Sequence, residues 1–547
     1  MLRYSFILYF VMIPVIVNNA EAQVPLDHLP VWQSNIVTTG REVALCDIEK
    51  DGDLDLVIAN DSPDNTIQIY KNVGPFFEYE PSWYTDCFVA VGVNLGDVDN
   101  DGDLDLAVAA YQHCYLYKNT GDSLERTPSW TSSFESWSFS WVGWGDVDND
   151  GDLDLAATGL FIYPRIYYNN DGILGTLPSW QAIDYNIDNA GSWGDVDDDG
   201  DLDLAVGALN LLMPTRVYYN NSGFLENIAS WTSPYPLTCG LSWGDIDGDG
   251  KIDLAGSCGY ALTDTFNVVW LNQGDSLESI PSWQSENYAM GVRSALGDVD
   301  NDSDLDLAVA VYDSSQDIVY LNTDGIFSSS PDWYSSTDYN SWGIAWGDID
   351  ADGIVSSIDT LVGNGFRKLY YFGNKRIPIH SLDSIVVDGI ILPQSDYCYD
   401  ISSGWISLKD APSNGDMILI HYKYSTDLDL AISYSREACA LFQNTNVGIE
   451  EIDDRIAVSD LNVFPNPFSR NTTFEYTTNT EKCYIEIFDI SGCKVNTLKN
   501  GDKFGRIQRN FWNGTDFSSK KLPSGIYFCQ LVSQHMPLDR VKVILLK

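Results

Sequence analysis

Positive charge is scarce in this chain. Lys and Arg number 30 against 79 Asp and Glu, a formal net charge of −49. That excludes nucleic acid as the main partner, because holding phosphate takes a basic face. Histidine is rarer still. The five (His28, His113, His380, His421 and His535) are scattered, and no H-E-x-x-H occurs, so a zincin-type centre is excluded. None of the ten cysteines forms C-x-x-C, which removes zinc-ribbon and thioredoxin chemistry. Beyond the first 22 residues no run approaches 18 apolar residues, so no transmembrane segment is expected in the mature chain. Helical periodicity of useful length is missing too. Aromatics are plentiful, however, at 13% of the chain, and hydrophobic residues make up 44%. A solvated acidic disordered chain is thereby excluded. At 547 residues the chain exceeds one compact core, so two or more units are expected.

Residues 1–22 read as an export signal. Arg3 is the positive n-region, Phe6 to Val17 the apolar h-region, and Ala20-Glu21-Ala22 an A-x-A cleavage site. In an exported protein some cysteines should pair. Cys239 with Cys258, and Cys87 with Cys114, each flank an acidic loop and are the candidate bridges.

Those loops are the main feature. A D-x-D-x-D-G-x-x-D segment starts at Asp47, Asp97, Asp146, Asp195, Asp245, Asp298 and Asp348, about every 50 residues. A tryptophan, in most copies closing a Pro-x-Trp triplet, precedes each loop: Trp32, Trp83, Trp130, Trp180, Trp231, Trp283 and Trp333. A short aromatic or aliphatic run ending in Asn follows, as in IYKN and VYYN. The seventh copy stops after Gly353 and resumes at Asp427, so residues 354–425 read as an insertion inside its loop. Without it the period is that of one four-stranded antiparallel blade, which predicts an all-β, seven-bladed β-propeller over 23–353 and 426–450.

The loop chemistry is that of a calcium site. Calcium takes six to eight oxygens, and alternate carboxylates at positions 1, 3 and 5 of a tight loop converge on one centre. Position 6 calls for positive φ, position 7 offers its carbonyl and position 9 closes the shell. The ligand candidates are Asp47, Glu49, Asp51, Asp53 and Asp55; Asp97, Asp99, Asp101, Asp103 and Asp105; Asp146, Asp148, Asp150, Asp152 and Asp154; and Asp195, Asp197, Asp199, Asp201 and Asp203. To these are added Asp245, Asp247, Asp249, Lys251 (through its carbonyl) and Asp253; Asp298, Asp300, Asp302, Asp304 and Asp306; and Asp348, Asp350, Asp352, Asp427 and Asp429. An EF-hand would need a Glu at position 12 and flanking helices, and has neither here. The loops hold 35 of the 79 acidic residues, so most of the excess negative charge sits in them, and up to seven structural Ca²⁺ would bring −49 to about −35. The sixth loop, with Ser303 in place of Gly, and the split seventh rank as the weakest sites.

The insertion has six basic and seven acidic residues, and strand-like runs such as MILIHYKY suggest a small β-subdomain on the loop rim. Its Arg367, Lys368, Lys375 and Arg376 read as a solvated face or, alternatively, as a site for an acidic glycan. After a linker at 451–460, residues 461–547 alternate apolar strands with Gly and Asn turns, which predicts an Ig-like β-sandwich.

The loops and their flanking strands, over roughly residues 30–446, resemble the FG-GAP or VCBS-type repeats of integrin-α-like seven-bladed propellers. That resemblance implies calcium in hairpin loops on one rim and a role in adhesion or in binding protein or carbohydrate. The C-terminal marks FPNPF, Asp489 to Gly492, WNGTD and LPSGIY resemble the sorting domain of the type IX secretion system. This implies passage through outer-membrane secretion machinery to the surface or medium of a Gram-negative, Bacteroidetes-like bacterium.

Gly240-Leu-Ser242-Trp-Gly244 matches G-x-S-x-G, but it runs into the fifth acidic loop in register with Gly191-Ser-Trp-Gly194, so it is repeat consensus and no catalytic residue is assigned. Trp144, Trp193, Trp243 and Trp346 share one repeat position with Leu in the other copies, which favours packing between blades over sugar stacking. Three functions stay open: adhesion or ligand binding, a polysaccharide-active enzyme on a propeller scaffold, and a structural surface protein.

Overall fold

A computed structural model describes residues 24–445 and 462–546, apart from short stretches at 62–66, 86–88, 122, 185–186, 210–213, 237, 260–265, 287–288, 314, 374, 478–482, 489–493, 500–506, 518–519 and 534–535. The expected export signal, the linker and the Asp489–Gly492 turn lie outside the described residues. The fold is all-β; the one helical element described is the 3-10 turn Gln394–Asp396. No described helix is long and apolar enough to cross a membrane.

Every acidic loop joins two antiparallel strands. Ala90–Gly96 runs into the loop at Asp97, and Asp105–Ala110 leaves from its ninth residue, with Gly96 paired to Asp105. The second strand, DLAVAA, is buried at all six positions. Such a continuous run of small apolar residues suits a strand covered on both faces. Cys114–Tyr117 and Trp130–Thr131 complete a four-stranded sheet in sequence order. Four more sheets repeat this order, their first strands being Phe139–Gly145, Asp188–Gly194, Thr238–Gly244 and Met290–Gly297.

Apart from the small hairpin of Asn322–Thr323 and Ile326–Phe327, the remaining strands of this region merge into one eight-stranded sheet. Thr38–Cys46, Asp55–Asn60, Ile67–Tyr70 and Trp83–Thr85 form one run. Ser341–Gly347, Asp429–Glu437, Ala440–Phe442 and the N-terminal Trp32–Gln33 form the other. Trp32 pairs with Leu441, so the start of the chain supplies the outer strand beside its late segment.

Aromatic pairs cement neighbouring sheets. Each repeat tryptophan meets edge-on an aromatic ring on the next third strand: Trp32 with Tyr70 at 5.5 Å, Trp83 with Tyr117 at 5.9 Å, and so on to Trp333 with Phe442 at 5.3 Å. Edge-to-face pairs add about 0.5–1.5 kcal/mol each beyond their buried area. Trp144, Trp193, Trp243 and Trp346 are buried, as packing between sheets requires. Trp144 presses on Gly96, where an added Cβ would sit 2.7 Å from the indole. Ser242 lies within the strand Thr238–Gly244, and its Oγ donates to the Ser294 carbonyl at 3.1 Å.

Residues 354–425 form two small sheets. Ile354–Val362 and Met417–Ser425 pair along their whole length, from Ile354 with Ser425 to Val362 with Met417. Ile379–Val387 lies on the other side of Met417–Ser425, and Leu369–Tyr371, Trp405–Leu408 and Tyr397–Asp400 make the second sheet. Ile385, Ile406, Ile418 and Tyr422 fill the core between them. The C-terminal segment has a three-stranded and a four-stranded sheet around Phe468, Phe474, Ile487, Trp512 and Leu531.

The candidate disulfides are not formed. Cys114 and Cys258 are buried free thiols, and Cys87 lies outside the described residues. Thr238 pairs with Cys258 and Gly240 with Ser257, so Cys239 falls in the bulge between two ladder positions, and its thiol contacts the Gly259 carbonyl. A bridge needs the two Cβ atoms facing one another, which this register denies.

Candidate cation sites on the loop rim

The loops fold on their own backbone. In the first, the Asp47 carboxylate accepts the N–H groups of Asp51 at 3.0 Å and Gly52 at 2.9 Å. Asp51 Oδ1 accepts the N–H of Asp53 at 3.1 Å. The second, third and fourth loops repeat all three bonds. Gly52 at position 6 has φ +94°, and Ser303, its counterpart in the sixth loop, takes φ 76°, a strained angle for a residue with a Cβ. Position 4 is left-handed as well: Lys50, Asn100, Asn149, Asp198, Asn301 and Ala351 all lie between φ 55° and 59°. The recurrent Asn there was an available sign, since Asn tolerates that region.

Position 9 anchors each loop to its sheet. Asp55 Oδ2 accepts from Ile48 N at 3.1 Å and Oδ1 from Asn72 N at 2.8 Å. The same pair of bonds recurs at Asp105, Asp154, Asp203, Asp253, Asp306 and Asp429. The Asn that ends each third strand therefore has a duty that the sequence reading left unassigned. Its side-chain amide donates onward to position 2 of the preceding loop: Asn119 to Ile48 O at 2.9 Å, Asn169 to Val98 O at 2.7 Å, Asn220 to Val147 O at 2.7 Å, Asn272 to Val196 O at 2.7 Å and Asn322 to Ile246 O at 2.9 Å.

Carboxylates come together in several loops, at positions 1, 3 and 5 in three of them and at positions 1, 3 and 9 in two. Oxygens of Asp97, Asp99 and Asp101 lie within 4.8 Å of one another, as do those of Asp146, Asp148 and Asp154, of Asp195, Asp197 and Asp199, of Asp245, Asp247 and Asp253, and of Asp298, Asp300 and Asp302. Every loop keeps at least one buried carboxylate oxygen without a hydrogen-bond partner: Glu49 Oε2, and Oδ1 of Asp99, Asp148, Asp197, Asp245, Asp300 and Asp348. A buried unpaired acceptor is costly, and a hard cation is what such an oxygen set suits. Burial, then the neighbouring carboxylates, pushes Asp97 up to about 6 and Asp298 up to about 7. Burial likewise raises Asp195 to about 7, although the Arg367 guanidinium beside it pulls the other way.

The basic residues of the insertion correct the sequence reading. They form neither a solvated face nor an open glycan site, because they reach back to the loops. Arg367 Nη2 meets Asp195 Oδ2 at 2.9 Å, and its Nη1 pairs with Asp198. Lys375 pairs with Asp304 at 2.8 Å, and Lys368 donates to the Asn149 carbonyl at 2.7 Å. Ser407 Oγ donates to Asp146 Oδ2 at 2.6 Å, and the Tyr371 hydroxyl accepts from Asp195 N at 2.9 Å. Arg376 instead stacks on Tyr424 at 4.3 Å. Attraction between this segment and a strongly acidic rim is the physical reason, and net charge per segment was the signal available.

The inserted strands also roof a cavity of about 310 Å³ bounded by the first strands of the sheets. Ile377, His380, Tyr399 and Ser402 face it from the insertion, and Glu42, Trp141 and Arg293 from the sheets. Arg293 crosses between strands there, from Glu42 Oε2 at 2.7 Å to the Cys239 carbonyl at 3.1 Å.

Residues 47–108, 97–157, 195–256 and 298–355 match the family model of the FG-GAP-like repeat, and residues 462–545 match that of the secretion system C-terminal sorting domain. The comparison with curated proteins returns no match. Among solved structures, BBS1N in complex with ARL6DN is similar in its lead-soaked and mercury-soaked crystals, at 12% and 11% identity and TM-scores of 0.44 and 0.45. Both likenesses cover 78% of this chain and 98% of the other.

Proposed function

We propose that this chain, which carries FG-GAP-like repeats and a secretion sorting domain, is a calcium-stabilised seven-bladed β-propeller that binds a protein or glycan ligand outside the cell. The sorting domain indicates a secreted or cell-surface protein that engages type IX secretion machinery. In this reading residues 354–425 are a subdomain inserted in the seventh blade, and 461–547 are an Ig-like sandwich.

The count of seven is supported by the asparagine bonds. They step back one loop at a time, and Asn72 and Asn444 supply the two steps that return the series to its start, to Ile349 O at 2.6 Å and Val299 O at 2.9 Å. Calcium is supported by the buried unpaired oxygen in every loop. The loop carboxylates and the position 7 carbonyls would hold the ion. Its role is to neutralise the repulsion that burial aggravates.

The single observation that carries the binding reading is the contrast between the two rims. The loop rim is covered by the chain's own insertion. At the opposite ends of the same strands, Tyr111, Phe134, Trp137 and Phe161 are exposed together, with Trp137 and Phe161 4.7 Å apart. Backbone bonds tie their three segments: Gln112 N donates to Trp137 O, Glu135 N to Gln112 O and Leu160 N to Ser138 O. Phe161 holds φ 57° in the tight turn between the paired Gly159 and Ile162. Glu135, next to Phe134 in the chain, is paired with Arg165, and the His113 ring packs edge-on against Phe134. An exposed aromatic platform suits a glycan ring or an aromatic-rich protein segment.

A glycan array and a binding assay against surface proteins, with calcium and with EDTA, test this. Wild type is expected to bind a defined ligand and W137A to lose it at an unchanged melting temperature. Equal binding by W137A removes this face from the proposal, and release of a cleaved product would establish an enzyme instead.

A further inference from the structure

The insertion interrupts the seventh loop between positions 6 and 7, so the two ends of the subdomain are also two sides of a candidate ion site. Asp348, Asp350 and Asp352 stand on the incoming side, and Asp427 and Asp429 on the outgoing side. The structure brings them together. Thr426 N donates to the Gly353 carbonyl at 2.9 Å, where the pairing of Ile354 with Ser425 begins. Ser425 Oγ donates to Asp348 Oδ2 at 2.9 Å and accepts from Asp427 N at 2.8 Å. Asp348 Oδ1 and Asp427 Oδ1, on residues 1% and 4% exposed, have no hydrogen-bond partner. One orphaned oxygen thus comes from each side of the break.

We propose that a divalent cation held in this split loop fastens the inserted subdomain to the loop rim. The proposal rests on the cation reading above and reverses the low rank that the sequence assigns to this site. The covalent attachment of the subdomain is here alone, through the paired strands Ile354–Val362 and Met417–Ser425. Without a cation, carboxylates repel across the foot of that ribbon and favour its swinging out. With one, both strands are ligated to a common point and the ribbon leaves the ring in one direction. The distal contacts are the ion pairs of Lys375 with Asp304 and of Arg367 with Asp198 and buried Asp195, together with Leu369 and Trp405, which pack in one apolar cluster with the sheets. They orient a subdomain whose foot is already fixed.

Hydrogen exchange on the full chain, with native mass spectrometry to count bound calcium, tests the inference. The variant pair is D350N/D352N at the foot and D99N/D101N in the second loop, which touches no inserted residue through those side chains. Both are expected to lose one ion. Only the foot variant should exchange Leu369–Tyr371 and Trp405–Leu408 at least tenfold faster, with Asp105–Ala110 unchanged as internal reference. Equal exchange in the two variants, with one ion lost from each, overturns the fastening and leaves the cation reading intact. A wild type that binds no calcium overturns both. Should the foot variant unfold throughout, wild type titrated with calcium decides. Protection of the inserted strands must rise at the same midpoint as protection of residues 348–353, and separate midpoints overturn the inference.

Discussion

Asn72 Nδ2 donates to the carbonyl oxygen of Ile349 at 2.6 Å, across 277 residues of sequence. This bond joins the first acidic loop region to the last, with the same geometry by which Asn220 reaches Val147 within the series. The repeat's own asparagine thus bridges the first and last loops, beside the strand pairings of Trp32 with Leu441 and of Thr38 with Glu437.

Asn72→Ala should cost about 1–3 kcal/mol, the penalty of a buried carbonyl left without its donor. Asn220→Ala should cost a similar amount. Chemical denaturation of both variants checks this, and a neutral Asn72→Ala beside a destabilised Asn220→Ala would mean that closure is not maintained in solution.

Removing calcium should lower the melting temperature by many degrees, and adding it back should restore the loss. A ligand at 100 times its Kd stabilises by about 2.7 kcal/mol per site. Calorimetry in EDTA and in calcium reads the difference; superimposable curves would be fatal to the calcium assignment.

Asp317 lies away from the acidic loops, buried, and accepts a hydrogen bond from Val311 N at 3.0 Å. Burial pushes it up to about 7 from an ordinary 3.8. The folded state then holds a proton that the unfolded chain releases, so this group's contribution is fully present below about pH 4 and is lost as pH rises towards 7. The slope approaches about 1.4 kcal/mol per pH unit inside that window. Asp317→Asn should remove it, so the stability of wild type relative to variant should decline from pH 4 to 7 and then level. A difference that is flat with pH refutes the assignment.

A chain ended at residue 460 should lose export past the outer membrane, since the segment matched to a sorting domain spans 462–545. Cell fractionation with an antibody to the repeat region measures this. Normal appearance of the truncated chain in the medium would contradict a sorting role.

Cys258 should react with a thiol reagent only under denaturant, because it is a free thiol and 3% exposed. Mass spectrometry after alkylation in native and unfolding buffer distinguishes this from the bridge to Cys239, which would leave it unlabelled in both.

Much of the loop rim is legible in one dimension because its bonds are local. Asp47 with Gly52, or Asp51 with Asp53, are satisfied within a few residues, so a nine-residue pattern carries nearly all of the geometry. The strand pattern is legible for a similar reason: a buried run such as Asp105–Ala110 needs only small apolar residues between turns. Cys239 and Cys258 look like a bridge on spacing, which does not report a bulge, and Cys239 sits in one between the Thr238 and Gly240 ladder positions. Arg367 and Lys375 were misread because composition shows charge but not what it faces.

By itself, then, the sequence determined the repeat, the acidic loops, the all-β character and the resemblance of the C-terminal segment to a sorting domain. Only the tertiary structure decided that Trp32 pairs beside Leu441 and that the insertion folds back over the acidic rim, with Arg367 on Asp195, 172 residues away. The physical reason is range. Periodicity and loop motifs act through neighbours along the chain. The partner of a strand edge or of a guanidinium is chosen by which surfaces the completed sheets bring within a few ångströms.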